Sequence, residues 1–396
     1  MKKIIYLDYA ASTAIDKKVL EAMMPYLRRH YGNPSSLHAF GQKARAAIEQ
    51  AREQAARFLH CQADEVIFTS GATEANNLAI RGVIQNTRYK IQDTRPHIVT
   101  TAIEHESVLE PCRTLEKEGI AEVTYVKPQK DGIVLGEDIK NAIKPNTVLV
   151  SVMYANSEIG TIQLVAHIGE FLKQYKIQNT RYKILFHTDA VQAANYLDCN
   201  VEKLGVDLLT LSSHKIYGPK GAGLLYVREG TAIRPLIMGG GQESGLRSGT
   251  EHVAGVVGFG AAIQELQNPR MMLTNIKIRQ LRDKLIKGVL RKIPESMLTG
   301  SQEKRLPNNV HVRFQGIEGR DLVMLLDQRG IAVSSGSACS EKTRDPSPVL
   351  LALGLTSKEA LSSVRITLGK YTTPEEIEKI LKILALTVAQ LRKGGI

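Results

Sequence analysis

Asp207-Leu208-Leu209-Thr210-Leu211-Ser212-Ser213-His214-Lys215 runs from an apolar strand straight into two hydroxyls, an imidazole and an amine. A lysine at the end of a buried strand is a poor structural choice, because its charge must be desolvated. It is a good chemical one. A lysine amine can form a Schiff base with an aldehyde cofactor, and pyridoxal phosphate is the common case. Ser212 and His214 could then hold the cofactor phosphate close to that bond. One strand earlier, Phe186-His187-Thr188-Asp189-Ala190-Val191-Gln192 carries a carboxylate. A pyridoxal enzyme needs one facing the ring nitrogen, since a protonated pyridine is the better electron sink.

Seven apolar runs read as strands, at residues 66–69, 98–101, 123–126, 148–153, 184–187, 207–211 and 223–227. Most are separated by enough chain for a helix. This alternation predicts an open, mainly parallel seven-stranded α/β sheet with helices on both faces. The last two runs, joined by Gly218-Pro219-Lys220-Gly221, read as an antiparallel hairpin. Upstream, Ala44, Ala47, Ile48, Ala51, Ala55, Phe58 and Leu59 repeat at helical spacing and predict a helix over 35–61, capped by Ser35 or Ser36. Beyond about residue 260 the pattern becomes a long amphipathic helix over 269–292, then short strands near 310–314, 331–333 and 364–367. A closing helix starts at Pro374, with Thr373 and Glu376 as a capping-box pair. The expected organisation is a large cofactor-binding domain over 16–259 and a smaller α+β domain from 1–15 and 260–396.

At 396 residues the chain is long enough for two domains. Lys2 and Lys3 open it, but Asp8 interrupts the apolar stretch, so no signal peptide is read. The weakly polar run 253–263 is too short and glycine-rich to span a bilayer. A cytoplasmic protein is expected. The formal charge of +12 is scattered and interleaved with acids, without a nucleic-acid motif. It reads as a solvated surface that attracts acidic partners rather than as direct nucleic-acid binding. Cys61, Cys112, Cys199 and Cys339 form no C-x-x-C pair, so neither a metal site nor a redox dithiol is expected. The octapeptide Ile-Gln-Asn-Thr-Arg-Tyr-Lys-Ile occurs at 84–91 and again at 177–184. Each copy is placed between a helix and the next strand, where an insertion without catalytic meaning is tolerated.

The polar residues that follow the strands form a constellation. Ser70-Gly71-Ala72-Thr73 follows the first strand and opens a helix whose amides could bind a phosphate. Glu104-His105 follows the second, where His105 could stack on a pyridine ring and move protons. Asn156, after the fourth strand, and Gln192, after the fifth, could bind a ring hydroxyl. In a parallel sheet all these carboxyl ends lie at one edge, where ligands bind. The glycine-rich stretch 239–250, ending in Thr250, suits an anion-binding arm. Cys339 lies in Ser334-Ser335-Gly336-Ser337-Ala338-Cys339-Ser340, whose composition predicts an exposed, mobile loop. Free cysteine prefers burial, so an exposed one is better explained by reactivity. Its ordinary pKa of about 8.5 leaves a usable thiolate fraction near neutrality.

With these residues in place the chain resembles the cysteine desulfurases of the NifS/IscS type, within the class-V aminotransferase family of pyridoxal-phosphate enzymes. The resemblance runs through Tyr6-Leu-Asp-Tyr-Ala-Ala-Ser-Thr13, Tyr31-Gly-Asn-Pro-Ser-Ser36, Thr69-Ser-Gly-Ala-Thr-Glu74 and His187-Thr-Asp-Ala-Val-Gln192. It continues through Ser212-Ser-His-Lys215, Arg247-Ser-Gly-Thr250 and residues 334–339. It implies the fold type I architecture of pyridoxal-dependent transferases and a homodimer in which Thr250 reaches the phosphate of the partner subunit's cofactor. It also implies that Arg365, in Val364-Arg-Ile-Thr367, holds the carboxylate of L-cysteine, with Asn33 nearby. Sulfur would pass to Cys339 as a persulfide, leaving alanine, and then to an iron-sulfur scaffold or a tRNA-thiolation enzyme. Two departures stand out. The segment 176–183 is longer than usual, and the chain stops at Ile396 without the extended tail by which many members engage a scaffold. The readings weighed against this one are another pyridoxal lyase or aminotransferase, including one that prefers selenocysteine, and a basic binding protein without catalysis.

Overall fold

The protein is described from a computed structural model covering residues 4–88, 94–178, 183–335 and 345–394. In chain order its first eight strands are β1 (Ile5–Tyr6), β2 (Val66–Thr69), β3 (His97–Thr101), β4 (Glu122–Val126), β5 (Thr147–Ser151), β6 (Leu185–Asp189), β7 (Leu208–Ser212) and β8 (Gly223–Val227). Strands β2 to β8 form one seven-stranded sheet in the order β2-β8-β7-β6-β5-β3-β4. All neighbours are parallel except β8, which lies antiparallel to both β2 and β7.

The sheet is buried on both faces, and the reason is legible residue by residue. Successive side chains of a strand point to opposite faces. Val99, Val150, Phe186, Leu209 and Leu224 therefore pack into one apolar cluster. Their chain neighbours Ile98, Leu149, Leu185, Leu208 and Leu225 pack into a second. A single run of five apolar residues thus serves two helical layers, as a doubly covered parallel sheet requires. Only the edge strand β4 stays half-buried along most of its length.

A third cluster joins the two ends of the chain. Ile5 and Leu7 pack with Leu285, Val310, Phe314, Ile366 and Leu384. Here β9 (Ser296–Leu298), β10 (Asn309–Phe314), β12 (Ser334–Ser335) and β13 (Ser363–Thr367) make a four-stranded antiparallel sheet in the order β12-β13-β10-β9. Strand β1 pairs in parallel with β11 (Ile331–Ala332). The helix Pro269–Lys292 spans the predicted residues, and the helix Pro374–Arg392 carries the Thr373–Glu376 capping box. Among the described residues no helix is long and apolar enough to cross a membrane.

Two local expectations are corrected. The long N-terminal helix begins at Ala39, not at 35, and His38 caps it by accepting the Gly41 N–H at 3.3 Å. Ser35 and Ser36 are taken up earlier, in a turn on Asn33: the Ser35 N–H reaches Asn33 Oδ1 at 2.9 Å and the Ser36 N–H reaches the Asn33 carbonyl at 3.0 Å. Both octapeptide copies begin inside a helix rather than after it, the first in the helix Ala72–Arg88 and the second at the end of the helix Val165–Gln178. Ile84, which opens the first, and Ile184, which closes the second just before β6, are fully buried. Much of both copies lies outside the described residues.

The helix Val253–Leu266 runs unbroken across residue 260. Phe259, Ala262 and Ile263 pack with the large sheet.

Candidate active site

Because β8 alone is reversed, the carboxyl ends of β2, β3, β5, β6 and β7 meet at one edge. The amino end of β8 fits between two of them, with Gly223 opposite both Thr69 and Ser212. No side chain fits there: a Cβ on Gly223 would lie 2.5 Å from the Gly71 carbonyl carbon. At this edge opens a cavity of about 510 Å³, within the size of small-molecule sites.

Lys215 ends a short 3₁₀ turn after β7 and lines this cavity. Its Nζ donates to the carbonyls of Ala10 at 2.6 Å and Ala11 at 2.8 Å. Gln192 Nε2 donates to the same Ala10 carbonyl at 3.0 Å. The N-terminal segment is thus drawn over the sheet edge. Thr13 fastens it further, its hydroxyl donating to the His214 carbonyl at 2.9 Å. His214 Nδ1 lies 3.2 Å from Ser12 Oγ, and burial, with Lys215 and Lys220 nearby, pushes the ring down to about 4. His214 is therefore neutral near pH 7.

Asp189 ends β6 and is 7% exposed. Its Oδ1 accepts the Val191 N–H at 3.0 Å, and its Oδ2 accepts Asn76 Nδ2 at 2.8 Å. Asn76 Nδ2 also donates to Ser107 Oγ at 2.8 Å. Ser107 in turn meets His105 Nδ1 through its hydroxyl at 2.8 Å and through its backbone N–H at 3.1 Å. A backbone N–H can only donate, so Nδ1 is the acceptor and the neutral ring carries its proton on Nε2. Asp189, Asn76, Ser107 and His105 form one continuous chain of hydrogen bonds.

Ala72 and Thr73, the first residues of the helix Ala72–Arg88, line the cavity, as do Ser212 and Asn156. The Asn156 carboxamide is engaged locally: Nδ2 donates to the Ile103 carbonyl at 2.9 Å, while Oδ1 accepts the N–H groups of Glu158 and Ile159, each at 2.9 Å. Arg365 enters from β13, 3% exposed, with Nη2 on Asp8 Oδ1 at 2.8 Å and Nη1 on the Ser157 carbonyl at 3.2 Å. Thr250 does not line this cavity. It lines a smaller one of about 100 Å³ that shares Ser70 and Gly221 with it. Asn33 lines neither. Cys339 lies outside the described residues. The other thiols are poor nucleophiles, because burial pushes Cys61 and Cys199 up to about 12 and Cys112 higher still.

One cavity therefore gathers a primary amine, a carboxylate, an imidazole and the start of a helix. That donor set fits pyridoxal phosphate, with Lys215 for the aldehyde, Asp189 for the ring nitrogen and the helix start for an anionic group. Sequence reading missed Asn76, Ser107 and Asp8. The last sits in the quoted motif 6–13, but nothing in its spacing points to Arg365.

The family described as aminotransferase class-V matches residues 5–380. A cysteine desulfurase IscS of Dictyoglomus turgidum is 46% identical over 392 residues, covering 99% of this chain and 96% of that protein. A solved structure described as a NifS-like protein superposes with a TM-score of 0.89 at 37% identity, covering 98% of this chain and 99% of the other. Another, described as SspA in complex with cysteine, gives a TM-score of 0.80 at 36% identity, covering 93% of this chain and all of that one.

Proposed function

Since this chain belongs to the class-V aminotransferases, and within them to the cysteine desulfurases, we propose that the sheet-edge cavity is the desulfurase centre, with pyridoxal phosphate carried on Lys215 and the sulfur of L-cysteine taken by Cys339. The observation that carries this assignment is the sharing of one cavity by the Lys215 amine and the Asp189 carboxylate. When bound, the cofactor supplies a carbonyl for the substrate amine and an electron sink for the bond-breaking steps. The desulfurase family is generally dependent on this cofactor.

The roles of the residues follow from their chemistry. Arg365 binds the substrate carboxylate through its guanidinium, already oriented by Asp8. Lys215 Nζ would take the proton from the substrate Cα. Asp189, held by Asn76, keeps a proton on the ring nitrogen. His105, with hydrogen on Nε2, passes protons to and from substrate or thiol. Ala72, Thr73, Ser212 and His214 hold the phosphate, joined by Thr250 from the second copy of a homodimer. Gln192 and Asn156 border the ring hydroxyl, and Asn33 approaches the substrate. The Cys339 thiolate attacks the substrate sulfur: the Cβ–S bond breaks, a proton closes alanine, and Cys339 keeps the sulfur as a persulfide. Iron-sulfur scaffolds or tRNA-thiolation enzymes are the proposed acceptors, in the cytoplasm. We also take the larger unit to continue through Leu266, supported by the unbroken helix across residue 260.

The test is to incubate the holoenzyme with L-cysteine and assay alanine and a persulfide on the peptide containing Cys339. Stoichiometric appearance of both is expected. Alanine without persulfide on that peptide would sink the assignment of Cys339.

A further inference from the structure

Glu104 lies three residues beyond β3, in the turn that leads to His105, and no step above uses it. It lines the cavity and is 3% exposed. Its Oε1 accepts two hydrogen bonds, from the Thr101 hydroxyl at 2.8 Å and from the Met153 backbone N–H at 2.8 Å. Its Oε2 is buried without a hydrogen-bond partner among the described residues. Among the cations that line the cavity, Arg365 is engaged with Asp8 and Lys215 with the Ala10 and Ala11 carbonyls. Among the described residues, the ionisable groups coupled to Glu104 are Asp189 at the end of β6 and the Cys112 thiol on the helix Glu106–Lys117.

A carboxylate in this position would have one bare oxygen, no counter-ion and an anion for a neighbour, each of which opposes its charge. Burial first, then Asp189, pushes the Glu104 carboxyl up to about 8, against the pull of its two hydrogen bonds. The contacts also show what the side chain braces. Glu104 Oε1 ties the turn after β3 to Met153, after β5. Asn156 Nδ2 ties the same two segments from the other side, through the Ile103 carbonyl at 2.9 Å. Together they brace the strand ends that present His105 and Asn156.

Resting on the assignment of this cavity as the desulfurase centre, we propose that Glu104 is a positioning residue that works as a neutral carboxylic acid, bracing the turn that carries His105 and leaving the negative charge of that floor to Asp189. Ionisation of Glu104 would set a second anion beside Asp189 and leave a charged, unsatisfied oxygen in the turn that carries His105, which loosens that turn.

The experiment compares wild-type holoenzyme with Glu104→Gln and Glu104→Ala. An amide keeps the shape of the neutral acid and cannot ionise. Infrared difference spectra of wild type against Glu104→Gln should show a protonated-carboxyl band that fades as pH rises through about 8. Glu104→Gln should retain most of the alanine formation that Glu104→Ala loses, a loss of roughly tenfold. It should also lack the part of the alkaline fall in rate that wild type owes to Glu104, with a matching difference in the cofactor absorbance against pH. Absence of the band at low pH, or an unchanged alkaline limb in Glu104→Gln, overturns the proposal. So does a Glu104→Gln variant as impaired as Glu104→Ala, since a charged carboxylate would then be required. Should Glu104→Ala fail to fold, the band and the alkaline limb of Glu104→Gln still decide. A wild type that shows the band but yields no alanine from cysteine overturns the desulfurase centre and leaves the neutral Glu104 supported.

Discussion

Asn76 Nδ2 donates to Asp189 Oδ2 at 2.8 Å, across 113 positions of the chain. The contact holds the carboxylate from the first turns of the helix Ala72–Arg88, so Asp189 is tied to the helix start. Asn76→Ala should weaken cofactor binding by about 10-fold to 100-fold, the worth of one hydrogen bond to a charged group. Equilibrium titration of the apo-protein with cofactor checks this. An unchanged affinity would mean that Asp189 needs no such support.

Lys215→Ala should abolish alanine formation while leaving the Asp189–Asn76 pair intact. Borohydride treatment of wild type should fix the cofactor to a single peptide, identified by mass spectrometry. A labelled peptide without Lys215 removes the central assignment.

Arg365 is 3% exposed and fixed by Asp8, so its guanidinium is oriented before substrate arrives. Arg365→Ala should raise KM for cysteine on the order of 100-fold, because charge and paired donors are lost together. Cofactor affinity should change far less. Arg365→Lys should rescue little, since an ammonium cannot reproduce the planar fork. Steady-state kinetics decide, and a normal KM in Arg365→Ala would move the carboxylate site.

Glu158 is buried, its Oε2 accepting the Ser347 hydroxyl at 2.6 Å, and burial raises its carboxyl to about 7. The folded protein therefore holds a proton there that the unfolded chain has already released. Wild type should lose stability relative to Glu158→Gln as pH rises from the ordinary carboxylate range toward 7, by up to about 3 kcal/mol. Thermal melts of the two holoenzymes across that window measure the gap. A wild type that holds or gains stability relative to Glu158→Gln as pH rises through that window refutes the sign.

In Cys339→Ala the cofactor should bind as in wild type, because Lys215, Asp189 and the helix start are untouched. Cysteine should still perturb the cofactor absorbance, but persulfide and sustained alanine formation should stop. Sulfur delivery at the wild-type rate without added thiol would make Cys339 a surface cysteine.

Much of the fold could be read before the structure was known. The strands were legible because each apolar run must cover two helical layers, and no surface element needs that. The long helix Pro269–Lys292 was legible from its amphipathic pattern, and the structure adds the cap, Asn268 accepting the Arg270 N–H. The start of the helix Ala39–Leu59 was not. Its competing caps, Ser35 and Ser36, are consumed by a turn on Asn33 that no periodicity reveals.

By itself the sequence determined which residue types sit at which strand ends: Thr73, His105, Asp189 and Lys215 each follow an apolar run by local chain geometry alone. The reversal of β8, the drawing of Ala10 and Ala11 over Lys215, and the pairing of Asp8 with Arg365 across 357 positions were decided only by the tertiary structure. The physical reason is that a polar side chain takes its role from the groups that remain unsatisfied around it. Asn76 and Glu104 look like ordinary polar residues of a helix and a turn. Packing them against Asp189 and Met153 makes one a brace for a carboxylate and the other a buried acid, and no local spacing encodes that neighbourhood.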